Sequence, residues 1–536
     1  MNTRGFEQSL LRAAAFVAVG LAAAPAWADP VLQNASVRSD ATVQVPVSAA
    51  VRERAHIHVI DSAGYEQQKQ MAATAPQSSV AGEASVSIPG ENLSTDPLVT
   101  VVRKWEGLRG MAGAPTDSTS AIGRTRFIEL INSNFGIFDR SSTVPMSTGT
   151  LDQMLGCVFC GDAIQTDPQV IWDAGTNRFY AVYLEVSELG NSLLIAFSTT
   201  ASPSSASDWC RYSLSFGDSI PDYPKLGDTS DFILIGTNGF TGDPGSYTGS
   251  SVSWVTKPHA GTTCPDASTF RFGTVKLPDV FTPVPANQID KSSTGWIVAV
   301  PLVAPSDKLK LLKVTKAADG SAVIPTTATD LSVPAFTFPF EAPQKSSRFF
   351  LDTLDGRNTQ AVSAIDPAHG RVGLWTQHTV GGGAGAEVRW YELDPEHSSV
   401  FQSGVISHPS LYLFNAAISP DRVRAGSDAR FGSNMVISFN SSSTTTNPAL
   451  LVASKIGTGR VSQVTQIGTS SGAENTFECS ENGDTCRWGD YAAGTPDPKA
   501  PLDAVTGRVW GTSMLAVPLA AYDDAAWRTR NFVVKP

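Results

Sequence analysis

Charge is scarce in this chain. Asp, Glu, Lys and Arg make up 17% of its 536 residues, against roughly 25% in an average globular protein. That shortage excludes a coiled coil, a helical repeat array and a charged disordered chain, all of which depend on abundant charged residues. The charge present leans acidic, with 50 Asp and Glu against 39 Lys and Arg and a formal net charge of −11. A basic nucleic-acid binder is therefore excluded as well. Long helical periodicity is missing, and so is any apolar run beyond residue 28 long enough to span a membrane. Cysteine is sparse, at six residues.

What is plentiful is turn chemistry. There are 45 Gly and 34 Pro among many small polar residues. Short runs rich in Val, Ile, Phe, Tyr and Trp alternate with turns from about Ile122 onward, as in 126–131, 178–183, 192–197, 296–300 and 435–439. Runs of that length bounded by Gly, Pro, Asp, Asn and Ser read as strands. Strand alternating with helix is absent, so the expected class is all-β. A degenerate hairpin motif, Asp-x3-Gly/Asn-Arg-Phe/Val, recurs at Asp173–Phe179, Asp366–Val372 and Asp503–Val509. In it the Asp side chain closes the turn and Gly or Asn takes positive φ. Repeated hairpins over more than 400 residues suit a single β-propeller, whose radial repetition disposes of exposed edges. Seven blades is the central expectation, within about six to eight.

The ends of the chain read differently. Arg4 and Arg12 flank the apolar run 13–24, and Ala26-Trp27-Ala28 precedes Asp29. This is the pattern of a cleaved secretory signal over 1–28, and the run is too short to cross ~30 Å of hydrocarbon. Residues 29–102 form an N-terminal extension or linker with a small β element, and 103–536 form the propeller. His56 and His58 share one strand face without a third metal ligand nearby. The expected location is secreted or periplasmic. Six cysteines in an exported chain favour disulfides. The economical pairing is Cys157 with Cys160, Cys479 with Cys486, and Cys210 with Cys264. A redox or metal role for Cys157-Val158-Phe159-Cys160 is the competing reading, weak without a second pair.

From about Val102 the chain resembles a family of exported bacterial β-propeller proteins, related in architecture to sialidase-like and BNR-repeat propellers. The resemblance is carried by Trp105-Glu106-Gly107-Leu108, by Glu129–Asp139, and by Asp167-Pro168-Gln169-Val170. It continues through Asp222–Gly227, Val388–Leu393, Arg487–Tyr491 and Trp527–Arg530. It implies a propeller over most of the chain, and the fold alone does not specify an activity. A sialidase would need three arginines, a Tyr–Glu nucleophile pair and intact Ser-x-Asp-x-Gly-x-Thr-Trp boxes. The boxes here are eroded and the nucleophile pair has no counterpart.

Chemistry is expected where inner strands bring scarce charges to one axis. Asp167, Asp222, Asp352 and Asp490 are the candidate catalytic carboxylates, since paired carboxylates can act as acid and base in glycosidic cleavage. Lys225, Arg348, Arg389, Arg487, Trp488 and Tyr491 are candidate substrate-binding residues. Arg348, Arg357 and Arg389 could receive an acidic sugar's carboxylate. The competing view makes Asp-Pro, Tyr-Pro-Lys and Trp-Gly-Asp-Tyr structural turns. His378 and His408 are secondary candidates for a general base. No cofactor is expected, although Glu481-Asn482-Gly483-Asp484 is an oxygen-rich loop that could hold Ca²⁺. Gly381–Gly385 reads as a hairpin tip, and there is no His-Glu-x-x-His or P-loop. The expected function is a secreted propeller acting as a glycoside hydrolase or polysaccharide lyase at its channel mouth. The alternative is a non-catalytic, adhesive propeller that binds glycans or proteins. The expected partner is a glycan or cell-surface polymer, with no nucleic acid, and the expected state is a monomer.

Overall fold

Runs of alternating apolar residues with turn-forming ends fold here into four-stranded antiparallel sheets. A computed structural model describes residues 30–37, 69, 84–85, 98–109, 115–161, 163–242, 245–259, 263–303, 305–422, 431–476, 479–480, 483–499, 505–517 and 527–536. The expected leader 1–28, His56 and His58 lie outside them, as do Glu481 and Asn482 of the oxygen-rich loop. Among the described residues, no helix is long and apolar enough to cross a membrane.

The first sheet runs Thr119–Ile122, Arg126–Ile131, Asn134–Asp139 and Pro145–Thr150. The second is Ala163–Asp173, Arg178–Ser187, Gly190–Ser198 and Trp209–Gly217, with Val31–Asn34 added to its outer edge. Further sheets begin with Ile220–Asp228, Phe281–Pro285, Asn358–Asp366, Tyr412–Pro420 and Ala493–Pro496. In the seventh, Val509–Ala516 and Trp527–Lys535 follow Ala493–Pro496, and Thr100–Arg109 supplies the outer strand. That strand begins three residues ahead of the boundary expected at 103. The first strand of each sheet packs on the first strand of the next, and Ala493–Pro496 packs on Thr119–Ile122. The ring is closed, and the all-β propeller expectation is met.

The core is divided among the gaps between neighbouring sheets. Ile128, Phe135, Trp172 and Trp209 fill the gap between the first and second, and Trp375, Trp390, Ile418 and Ile437 fill that between the fifth and sixth. At the closing seam Trp105 of the seventh sheet meets Phe127 and Phe138 of the first and Trp510 of its own sheet, edge-on at 5.5, 6.4 and 6.0 Å. The buried Glu129 carboxylate crosses the same seam, accepting from Asn531 at 2.7 Å and from the Thr529 hydroxyl.

The repeated hairpin motif does what its residues suggest. The Asp173 carboxylate accepts from the Gly175 and Thr176 amides at 2.7 and 3.1 Å, and Asn177 has φ 58°. Asp366 accepts from the Ala368 amide at 2.9 Å, with Gly370 at φ 66°. Asp503 of the third copy lies outside the described residues. All three expected disulfides are formed: Cys157–Cys160, Cys210–Cys264 and Cys479–Cys486.

A second repeat was not read from the sequence. In five sheets the backbone turns to positive φ two residues before a position of the first strand that pairs with the second: Asp117 (44°), Asp167 (57°), Tyr223 (56°), Thr282 (51°) and Asn415 (48°). Pairing skips at these bulges, between Thr166 and Gln169, Asp222 and Lys225, Phe281 and Val284, and Phe414 and Ala417. Side-chain amides hold the turned segments. Asn132 of the first sheet accepts from the Asp167 amide of the second at 2.9 Å. Asn238 of the third accepts from the Thr282 amide of the fourth at 2.8 Å. These two bulges are thereby tied to the preceding sheet.

Candidate functional site

The bulges bring the axial residues together. Asp117, Asp167 and Tyr223 stand at positive φ on three consecutive inner strands. A small sheet of Ala342–Pro343, Phe350–Leu351 and Thr485–Cys486, closed by Cys479–Cys486, anchors the segment that carries Arg487, Asp490 and Tyr491 to the same place. Gly489, at φ 128°, permits the approach, because a Cβ there would meet the Thr116 hydroxyl at 3.1 Å.

Around this point the partners interlock. The Asp490 amide donates to Asp117 at 2.8 Å, and Asn132 donates to the other Asp117 oxygen at 2.7 Å. Tyr491 donates to Asp167 at 2.9 Å, and Tyr223 donates to the Asp490 carbonyl at 2.8 Å. Arg487 pairs with the Asp490 carboxylate at 2.8 Å. Arg357 forms a two-point pair with Asp355, at 2.7 and 2.6 Å, and lies over the Tyr223 ring.

Crowded carboxylates in a desolvated place resist ionisation. Burial, reinforced by Asp490 and Asp167, pushes Asp117 well above the usual carboxylate range. Burial and then Asp167 do the same to Asp222, against the opposing pull of Arg357. Asp490 is raised by burial, with Arg487 pulling it back. Asp355 differs: although burial pushes it up, Arg357 holds it below the usual range. Asp222 is half-buried, while Asp167, Asp352 and Asp490 are buried.

Lys225 sits between Tyr491 and Tyr223, its Nζ 3.5 and 3.9 Å from the two ring centroids, and its ammonium has no hydrogen-bond acceptor. Ring faces stabilise a buried cation by about 2 kcal/mol, whereas burying an unpaired ammonium costs several. Desolvation wins, and Lys225 is held well below the usual lysine range. The axial channel beside it is narrow, with a cavity volume of about 30 Å³, and is lined by Thr119, Gln169, Val284, Gln360 and Ala493 with Lys225. Lys225 is the one ionisable side chain on that lining.

Asp167, Asp222, Lys225, Arg487, Asp490 and Tyr491 thus converge, with Asp352 beside Asp490. The other expected binding residues lie elsewhere. Arg348 is exposed and pairs with Asp484 at 3.4 Å. Arg389 is buried against Glu387 and donates to the Ala335 carbonyl at 2.7 Å, joining the fifth sheet to the fourth. Trp488 is packed edge-on against Phe414 in the core. His378 is buried between Gly356 and Tyr391 and is pushed down to about 3 by desolvation. The His408 ring accepts from the Leu411 amide at 3.0 Å and closes a turn. Among the described residues no group of three His, Cys, Asp or Glu is placed to hold a metal ion. Asp117, Tyr223 and Asp355 are the members that sequence reasoning missed. The signal for Tyr223 was present, because Tyr223-Pro224 stands where Asp167-Pro168 stands one sheet earlier.

No protein-family model matches this chain, and no curated protein matches it. Solved structures similar to it include the phage phi92 endosialidase, at 10% identity over 80% of this chain and 69% of that one, with a TM-score of 0.38. The Dos1 propeller aligns at 10% identity, 81% and 94% coverage and a TM-score of 0.36. The parainfluenza virus 5 hemagglutinin-neuraminidase aligns at 8%, 69% and 95%, with 0.34. At such scores the likeness carries no argument about activity, which rests on the site itself.

Proposed function

We propose that the cluster of axial residues around Asp222 binds a glycan and cleaves its glycosidic bond, with Asp222 as the proton donor. One observation supports this most directly: the carboxyl of half-buried Asp222, pushed upward by burial and by Asp167, stands among buried carboxylates and two tyrosines. A general acid must hold its proton near neutrality, and crowding of this kind achieves it. Asp490, oriented by Arg487, and Asp167, oriented by Tyr491, are the carboxylates available to stabilise positive charge developing on the sugar. Lys225 and Arg487 are the hydroxyl-binding groups. The Arg357 fork is filled by Asp355, so an acidic sugar would find no free bidentate arginine there.

The test is a panel of oligosaccharides and polysaccharides, followed by Asp222→Asn and Asp490→Asn. Loss of the general acid should lower kcat by about 10²–10⁴-fold while the variant stays folded by circular dichroism. Activity should also fall on the alkaline side as Asp222 loses its proton. Full activity in Asp222→Asn overturns the assignment. Tight glycan binding without turnover would instead make the cluster a lectin-like site.

A further inference from the structure

Lys225 has a second consequence, independent of glycan cleavage. Its side chain is 1% exposed, its Nζ is without a hydrogen-bond acceptor, and it lines the axial channel. Most lysines reach water or a carboxylate, which keeps the amine protonated and unreactive. Here the amine lies against two aromatic faces whose hydroxyls are already committed, Tyr491 to Asp167 and Tyr223 to the Asp490 carbonyl, and the nearby carboxylates make no hydrogen bond to it. The rest of the lining is neutral, with Gln169, Gln360, Thr119 and Thr359 offering hydrogen bonds. No second cation stands on it to attract an anionic ligand.

We infer that Lys225 is a carbonyl-capturing amine, forming an imine with a small uncharged aldehyde or ketone admitted to the axial channel. The lowered basicity of the amine supports this reading, since a desolvated lysine is the usual form of a Schiff-base nucleophile. The Nζ lone pair attacks the carbonyl carbon, a C–N bond forms, and the C=O π pair moves to oxygen. Transfer of one N–H proton gives a neutral carbinolamine. Loss of its hydroxyl with the second N–H proton releases water and leaves C=N. The step consumes no oxidant or reductant, and it leaves the carboxylates as they were.

The full-length protein is incubated at pH 7 with glycolaldehyde, then treated with cyanoborohydride, which reduces an imine to a stable secondary amine. Intact mass and peptide mapping follow. The expected result is preferential labelling of the peptide carrying Lys225, at least tenfold faster than any surface lysine. Labelling should disappear in Lys225→Arg, with labelling of the other lysines unchanged. Labelling spread over surface lysines and the chain's amino terminus, with Lys225 unmodified in the wild-type protein, overturns the proposal. Because the wild-type map alone decides, misfolding of Lys225→Arg would not blunt the test. Loss of glycosidase activity in Asp222→Asn with Lys225 labelling intact would separate the two readings.

Discussion

Glu392 shows how one buried carboxyl can set the molecule's response to pH. It is fully buried, one oxygen has no partner, and the other accepts from Gln402 at 2.5 Å. Burial pushes it up to about 8, helped by neighbouring Asp366. The folded chain therefore keeps a proton that the unfolded chain releases near the ordinary Glu value of about 4.3. Stability from this group is complete below that value and is lost as pH rises through 8. Glu392→Gln should then be more stable than wild type at pH 9, by about 1–3 kcal/mol, and close to it at pH 4. Urea titrations at both pH values check this, and equal stabilisation at both would refute it. The axial residues teach a related lesson about reading. Asp167, Asp222, Lys225 and Asp490 were legible because each stands beside Pro or Gly at the start of an aromatic or apolar strand. Asp117 was not, because Pro115-Thr116-Asp117-Ser118 looks like linker and the strand after it is only Thr-Ser-Ala-Ile. Arg389 was misplaced for another reason: alternation shows that it faces away from Val388, and only the neighbouring sheet decides what it meets.

The bulged inner strand is the element that repeats, and side-chain amides are the joints. Asn238 is fully buried; it accepts from the Thr282 amide and the Ser250 hydroxyl and donates to Thr282 Oγ1 at 2.9 Å. Removing it strands the Thr282 amide in the core, at a cost of about 1–3 kcal/mol for that donor alone. Asn238→Ala should lower the denaturation midpoint by roughly that amount, whereas removing an exposed hydroxyl such as that of Thr143 should not. A left-handed backbone at a residue other than glycine costs on the order of 1–3 kcal/mol and often marks a functional site. Here the strain also occurs at Thr282 and Asn415, which carry no charge, so it belongs first to the architecture. Three of the five positions belong to the axial cluster, at Asp117, Asp167 and Tyr223. The hairpin motif was readable because Asp and Gly report a turn within a few residues. The amide joints were not, because their partners lie a whole sheet away in sequence.

As a whole, the molecule is a ring of interfaces with no end. Among the described residues seven first strands meet in sequence, and the seventh sheet takes its outer strand, Thr100–Arg109, from ahead of the first sheet. An open stack could lose its terminal unit alone; a closed ring cannot. Trp105→Ala empties the seam among Phe127, Phe138 and Trp510, and a buried Trp truncated to Ala costs about 3–5 kcal/mol. The variant should unfold at lower denaturant in one transition, seen alike by fluorescence and circular dichroism. Two separated transitions would mean that the sheets unfold as independent units. Alternation and turn spacing made this class of fold legible, and the resemblance pointed to a propeller. The identity of the closing strand depended on pairing between residues that composition and local pattern never compare.

That closure also bears on how the chain is made. Thr529 donates to the Leu108 carbonyl across 421 residues. At synthesis rates of about 5–20 residues per second, the strand Thr100–Arg109 waits roughly twenty to eighty seconds for its partner Trp527–Lys535. Throughout that interval it is an unpaired edge with Trp105 uncovered, the kind of surface that seeks another chain. Pairing with Trp527–Lys535 thus ends the exposure of this edge to aggregation.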